Sequence, residues 1–304
     1  MKLFYSERRP LPLPEGHSFP APKYTLLLER LQAAGLAPDG ALCQAQPASR
    51  EDLLRVHTAD YIGRMLGGEM TDKEMRRIGF PWSPALVERV LRSVGATLGA
   101  CQAALVEGVA ANLGGGTHHA YPDHGEGYCV FNDVAVAARA MQAQGHARRV
   151  VVLDCDVHQG NGTAAIFAGD ASVFTFSVHG EKNFPFHKER SSLDIALPDG
   201  SGDEAYLAAV EQGTRLALEQ ANADLAVYIA GADPYEGDRL GRMAVSKAGL
   251  GQRDRLALGM CRAAGLPTTI VMGGGYARRI EDMIDIQVET IRIAIELWRG
   301  GCLL

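Results

Sequence analysis

Short, largely apolar runs alternate along the chain with longer segments of helical periodicity. The apolar runs occupy residues 110–113, 150–153, 172–178, 224–229 and 267–272, and the helical segments occupy 133–144, 204–220, 250–264 and 280–298. Strands that alternate with helices, and that are apolar on both faces, are typical of a parallel sheet covered by helices. The pattern therefore predicts an α/β fold with a mostly parallel sheet.

Polar residues with chemical potential follow directly after these predicted strands. Asp154, Asp156 and His158 follow the run at 150–153, and Asp233 follows the run at 224–229. Open α/β sheets place their sites at the carboxyl ends of their strands. We therefore expect the polar residues of several strand ends to meet in one crevice.

Composition and charge narrow the class of protein. The 304 residues are 22% charged and 47% apolar, an ordinary globular balance, and no Pro/Ser-rich linker divides them, so we predict a single domain over residues 1–304. The net charge of −6 argues against a nucleic-acid partner and is compatible with a cationic substrate, such as a lysine-bearing peptide.

The remaining features predict a cytoplasmic protein. Six scattered cysteines without a CxxC pair indicate reduced thiols. The N-terminus lacks the pattern of a signal peptide, and no run reaches the ~20 apolar residues of a membrane helix, so we expect no membrane partner.

The segment DCDVH after the predicted strand 150–153 is the sharpest local signal. Alternate residues at a strand end face the same side, so Asp154, Asp156 and His158 suit a divalent metal such as zinc. In isolation the same residues also fit a helix cap or a loop. Asp233 alone is typical of a helix N-cap. These alternatives stay open at this point.

Two further strand ends offer hydrogen-bonding groups. His118 and His119 follow three glycines, and Tyr276 follows another three. An imidazole can serve as a general base, and a phenol can donate to a developing oxyanion. Alone, these residues also fit surface histidines in a turn and a packed aromatic. We interpret His57 as a structural histidine, and we predict long loops at 15–22 and 67–84 that line a pocket mouth.

Taken together and in this order, the motifs resemble the arginase/deacetylase superfamily and, within it, the histone deacetylases. The resemblance runs from Leu113 to Tyr276 through GGGTHHA, GYCVFND, VVLDCDVHQGNGT, TFSVH, IAGADPYEGD and MGGGYA. It implies a three-layer α/β/α fold with a parallel sheet of about eight strands.

The resemblance also implies a role for each matched residue. The zinc ligands are Asp156, His158 and Asp233, and the catalytic residues are His118, His119, Tyr276, Asp154 and Asn161. The walls of a narrow acyl-lysine channel are Gly127, Tyr128, Phe184 and Gly275. A structural monovalent cation such as K⁺ is held by Asp154 and Ser177, together with nearby carbonyls.

The sequence departs from the common family pattern at HQGNG. Asn161 stands where many members carry an Asp that pairs with the second histidine, and Gln159 replaces a histidine. This form is more similar to the class IV branch and its bacterial relatives. An amide stabilises an imidazolium less than a carboxylate does, so we predict that His119 is less basic than in Asp-bearing relatives.

The function implied is zinc-dependent hydrolysis of an N-acyl-lysine amide, with acetyl-lysine in proteins as the main candidate substrate. The alternatives are an acetylated polyamine or amine, a longer acyl chain, and a non-catalytic acyl-lysine binder. An arginase-like enzyme with two manganese ions would need more carboxylates than the single Asp within residues 230–234. Cys129 and Cys155 lie in apolar segments and are interpreted as core residues, not nucleophiles.

Overall fold

A computed structural model describes residues 1–6 and 11–299 of the chain. Its sheet has eight strands, all paired in parallel, in the order β2-β1-β3-β8-β7-β4-β5-β6. The strands are β1 (Lys2–Tyr5), β2 (Leu42–Gln44), β3 (Val109–Asn112), β4 (Val150–Asp154), β5 (Val173–Gly180), β6 (Leu193–Leu197), β7 (Leu225–Ile229) and β8 (Thr268–Val271).

Ten helices surround this sheet within the described ranges. They are α1 (Lys23–Ala33), α2 (Arg50–Leu54), α3 (Ala59–Gly67), α4 (Asp72–Ile78), α5 (Pro84–Glu107), α6 (Asp133–Ala143), α7 (Asn161–Ile166), α8 (Asp203–Ala221), α9 (Lys247–Ala263) and α10 (Ile280–Arg299). Helices α8, α9, α10 and α1 form one outer layer, and α5 with α6 forms the other. The three-layer α/β/α prediction is confirmed.

Strand β4 shows why the apolar runs do not alternate between apolar and polar residues. Val151 and Leu153 pack into the core beneath α8 and α9, while Val150 and Val152 pack into the core beneath α6. All four side chains are buried, because helices remove both faces of the strand from water. The strand order also makes β3, β8, β7, β4 and β5 consecutive neighbours, so their carboxyl ends share one edge.

Segment 67–84 differs from the predicted loop. It contains α4, whose first turn is closed by a capping box between Thr71 and Glu74 and whose end is marked by Gly79 at φ +91°. The helix lies at the pocket mouth, as the loop was expected to. Segment 15–22 is irregular, as predicted.

Two expectations concern cysteines and membranes. The five described cysteines form no disulfide, and Cys302 lies outside the described residues. Burial raises the pKa of the thiols of Cys129 and Cys155 above its ordinary value, which supports their interpretation as core residues.

Among the described helices, none has the length and apolar character required to cross a membrane.

Candidate active site

Asp156, His158 and Asp233 meet at the ends of β4 and β7. One ligand atom of each lies within 4.8 Å of the others, and all three residues are buried. His158 Nδ1 lies 3.0 Å from Asp156 Oδ1 and 3.2 Å from Asp233 Oδ2. The latter contact is not aligned as a hydrogen bond, so Asp233 Oδ2 is a buried oxygen without a hydrogen-bond partner. Because such oxygens are costly, a divalent cation between these atoms fits the trio.

Backbone groups fix the two carboxylates of this trio. Gly274 N donates to Asp156 Oδ2 at 2.7 Å, and Val157 N donates to Asp233 Oδ1 at 2.9 Å. A Cβ at position 274 would collide with the Asp233 carboxylate, so glycine is required there. Burial, together with the nearby charge of Asp156, raises the pKa of Asp233 to about 7. A bound cation would relieve this repulsion.

His118 and His119 lie side by side, with ring centroids 4.1 Å apart, but in opposite electrostatic environments. Burial alone would lower the pKa of His118, yet the carboxylates of Asp154 and Asp156 outweigh it and raise the pKa to about 9. His118 Nδ1 lies 2.7 Å from Asp154 Oδ2. Burial, with His118 and His158 nearby, holds the pKa of His119 well below its ordinary value. The pair therefore combines a cationic imidazole with a neutral one.

Asn161 contacts His119 through its carbonyl oxygen, which lies 2.7 Å from His119 Nδ1. Its amide nitrogen donates to Glu126 Oε1 at 2.6 Å and to the Tyr121 hydroxyl at 3.1 Å. Arg77 Nε in turn donates to Glu126 Oε2 at 3.1 Å. Sequence reasoning missed Glu126, whose only local signal is an acid between two glycines in HGEGY.

Tyr276 is buried, and its main chain is fixed on both sides. Tyr276 N donates to Asp238 Oδ2 at 2.6 Å, and Tyr276 O accepts from Arg239 Nε at 3.0 Å. Burial, then the carboxylates of Asp233 and Asp156, raise the pKa of the Tyr276 phenol well above its ordinary value. The phenol is therefore protonated at neutral pH and can donate a hydrogen bond.

A cavity of ≈ 400 Å³ leads from solvent to His119, His158 and Tyr276. Gly127, Tyr128 and Phe184, which the resemblance assigned to an acyl-lysine channel, line this cavity. The Phe184 ring lies edge-on to His119 at 4.9 Å, and a Cβ at Gly127 would lie 2.7 Å from His119 Cδ2. A Cβ at Gly127 would also lie 3.1 Å from Phe184 Cε1, so the Gly127 and Phe184 walls are close to each other.

Gly275 differs from the prediction, because it does not line this cavity. A Cβ at Gly275 would meet Met283 Sδ at 2.9 Å and the Ala232 methyl at 3.2 Å, on the side packed against the core. Its φ of +151° lies in the region that glycine tolerates.

The mouth of the cavity is rich in cations. Its lining includes four basic side chains and one acidic side chain, namely Arg76, Arg77, Lys182, Arg242 and Glu126. Arg77 pairs with Glu126, and Arg242 lies 3.4 Å from Asp199. Within residues 1–6 and 11–299, Arg76 and Lys182 form no ion pair. The exposed apolar side chains Phe186 (79%) and Leu240 (44%) complete the rim.

A second, smaller cavity of ≈ 60 Å³ lies on the inner side of the site. His118 and Tyr276 line it together with the buried cations Lys23 and Arg89. The Lys23 Nζ lies 5.3 Å from the centre of the Tyr276 ring. Sequence reasoning missed both cations, which come from α1 and α5. An anionic group of acetate size suits this environment.

The predicted monovalent-cation residues are neighbours in the sheet. Asp154 pairs with Ser177 in the register of β4 and β5, and Asp154 Oδ1 accepts from Asp156 N at 3.1 Å. Ser177 Oγ lies 3.0 Å from His179 Nδ1. The cation itself stays a prediction.

His57 is structural, as interpreted from the sequence. Its Nδ1 lies 3.0 Å from Tyr121 O, and Asn132 N donates to its Nε2 at 3.0 Å. Both ring nitrogens are therefore used within the fold.

Comparisons with known proteins agree with this arrangement. A model of the histone deacetylase domain matches residues 17–290. An uncharacterized protein of Picosynechococcus sp. is 46% identical over 90% of this chain and 91% of its own. A histone deacetylase-like amidohydrolase of Pseudomonas aeruginosa is 32% identical over 88% of this chain and 74% of its own.

A solved structure gives the same result for the fold. The crystal structure of an HDAC homolog complexed with SAHA superimposes with a TM-score of 0.83 at 25% identity, covering 98% of this chain and 88% of the other. Both the sequence match and the superposition extend over nearly all of the chain, including the strand ends that carry the site. The chain therefore belongs to the histone deacetylase family.

Proposed function

We propose that this protein is a zinc-dependent deacetylase that hydrolyses the amide of N-acyl-lysine in peptides and proteins. One observation carries the proposal: the buried trio Asp156, His158 and Asp233 lies at the base of a cavity that His119 and Tyr276 also line. The metal ligands, the general base and the oxyanion donor therefore lie around the same cavity, which is the arrangement that hydrolysis of a linear amide requires.

Zinc bound by the trio would polarise the acyl carbonyl and make water more acidic. His119, neutral at pH 7, accepts a proton from the attacking water and returns it to the departing lysine amine. His118, held cationic by Asp154, stabilises negative charge as it develops. Tyr276 donates its phenolic proton in a hydrogen bond to the oxyanion, whose stabilisation is commonly a large part of catalysis.

The cations at the mouth discriminate between the candidate substrates. Arg76 and Lys182 repel an acetylpolyamine, whose remaining amines are cationic at neutral pH. They attract a peptide that carries Asp or Glu beside the acyl-lysine. This local charge is opposite to the net charge of −6, from which a cationic substrate was expected. We therefore favour acyl-lysine within an acidic peptide context.

The test is a zinc-loaded assay on acetyl-lysine peptides, longer acyl-lysine peptides and acetylpolyamines, with a hydroxamate as inhibitor control. We expect release of acetate from the peptides, with kcat/KM greatest for those with acidic neighbours. A protein that binds these peptides without releasing acid would be a non-catalytic reader. Two stoichiometric manganese ions in active protein would instead indicate arginase-like chemistry.

A further inference from the structure

Glu126 accepts a hydrogen bond from the Asn161 amide nitrogen, and the family resemblance assigned Glu126 no role. We propose that Glu126 is a positioning residue that sets the proton location on His119 by holding the Asn161 amide in one orientation. This role rests on the proposed function of the site. It is carried by the unbroken chain of hydrogen bonds from Arg77 through Glu126 and Asn161 to His119.

The two ends of the Asn161 side chain have nearly the same shape but opposite hydrogen-bonding character. The carbonyl oxygen can only accept and the amide nitrogen can only donate. A Glu126 carboxylate can only accept, so it requires the nitrogen of Asn161 at 2.6 Å. The carbonyl oxygen must then face His119 Nδ1, which it meets at 2.7 Å.

This orientation decides which nitrogen of His119 carries the proton. Facing a carbonyl oxygen, Nδ1 must be the N–H donor, so the neutral ring has its lone pair on Nε2. An inverted amide would make Nδ1 an acceptor and would place the proton on Nε2. A general base needs an unprotonated nitrogen towards its substrate, so inversion removes the base without moving the ring.

Other neighbours of Asn161 do not fix its orientation as firmly. The Tyr121 hydroxyl accepts from the amide nitrogen at 3.1 Å and donates to Glu189 Oε1 at 3.1 Å, but this second contact is exposed and the first is longer than the buried contact with Glu126. Glu126 itself is well fixed, because Gly127 N donates to Arg77 O at 3.2 Å and Tyr128 N donates to Ile78 O at 2.7 Å. The loop that carries Glu126 is thus attached to the end of α4.

The decisive variant is Glu126→Gln, which keeps the shape and removes the charge. Arg77 can only donate, so it takes the glutamine carbonyl and leaves the glutamine nitrogen facing Asn161. Asn161 must then invert. We expect kcat to fall about ten- to a hundredfold, a part of the 10²–10⁴ that general acid–base catalysis supplies, while KM stays within about twofold.

Moving the carboxylate from position 126 to position 161 distinguishes an effect on hydrogen-bond orientation from general structural damage. Asn161→Asp alone places two carboxylates in contact, so we expect lower activity. In the double variant Asn161→Asp with Glu126→Gln, the glutamine nitrogen donates to one oxygen of the introduced carboxylate. The other oxygen accepts from His119 Nδ1, whichever way the carboxylate turns. We expect this double variant to exceed both single variants and to approach wild-type kcat within about fivefold.

The second readout is the tautomer of His119, measured by ¹⁵N NMR on zinc-loaded, histidine-labelled protein. Wild type and the double variant should have the proton on Nδ1, and Glu126→Gln should have it on Nε2. Glu189→Gln, which alters only the exposed partner of the Tyr121 hydroxyl at 3.1 Å, is the matched control and should keep both kcat and tautomer.

Three results would overturn the assignment: wild-type kcat in Glu126→Gln, an unchanged His119 tautomer in that variant, or a double variant no better than the poorer single one. A different result would show that the proposed function itself is wrong. In that case wild-type protein releases no acid from acyl-lysine peptides, while the tautomer measurement still tests Glu126.

Discussion

Reversal of charge at the cavity mouth tests the substrate preference most directly. The perturbation is Arg76→Glu with Lys182→Glu, two exposed cations without ion pairs in the described part of the chain. At about 8 Å in water, each pair of unit charges interacts by about 0.5 kcal/mol, and physiological salt screens this to about 0.2 kcal/mol. Each reversal changes the charge by two units, so the double variant changes it by four.

The interaction free energy between the mouth and one flanking charge on the substrate then changes by about 0.8 kcal/mol, which corresponds to about fourfold in kcat/KM. A peptide with one acidic neighbour should lose about fourfold relative to a neutral peptide. A dicationic acetylpolyamine should gain about fifteenfold, because two charges act. Raising the ionic strength to about 1 M shortens the screening length to about 3 Å and should remove most of both effects.

The assay is kcat/KM for the three substrates at low, physiological and high salt. The matched control is Lys2→Glu with Arg148→Glu, which makes the same change in net charge at the opposite, amino-terminal edge of the sheet, where β1 and β4 begin. Its selectivity should equal that of wild type. An unchanged peptide-to-polyamine ratio in the mouth variant at low salt, or a changed ratio that persists at high salt, would refute the electrostatic reasoning.

Three further predictions concern single residues. Tyr276→Phe should lower kcat by about 10²–10³ while metal content, measured by mass spectrometry, stays unchanged; near-wild-type turnover would exclude an oxyanion role. Lys23→Met should weaken inhibition by the product acetate by about tenfold, because the inner cavity loses a cation, and an unchanged inhibition constant would place acetate elsewhere. Burial lowers the pKa of His57 from 6.5 to about 4. As the pH falls, the His57 imidazole is therefore protonated in the unfolded chain at a higher pH than in the folded protein. The associated stability, present above pH 6.5, should fall by about 2–3 kcal/mol by pH 4.5, and urea unfolding of His57→Gln should lack this part of the loss.

The sequence alone determined five consecutive strands of the sheet, namely β3, β8, β7, β4 and β5, and the candidate site residues that follow them. Helices cover both faces of β4, so its residues 150–153 are all apolar, and the polar run that begins at Asp154 marks the strand end. The same rule located β3, β5, β7 and β8 within a residue or two of their bounds. The site residues at these strand ends could be predicted because each follows its strand closely along the chain.

Only the tertiary structure decided what these residues meet from elsewhere. Strands β1, β2 and β6 went unpredicted, because they lie at or next to the edges of the sheet, where partly exposed positions interrupt the apolar run. Lys23 and Arg89 reach the inner cavity from distant helices, and Glu126 reaches Asn161 across 35 positions. A charged residue in a loop or on a helix is ordinarily solvated, so the local sequence gives little indication that these three are buried. Their roles follow from burial beside a specific partner, and packing of separate segments creates that burial.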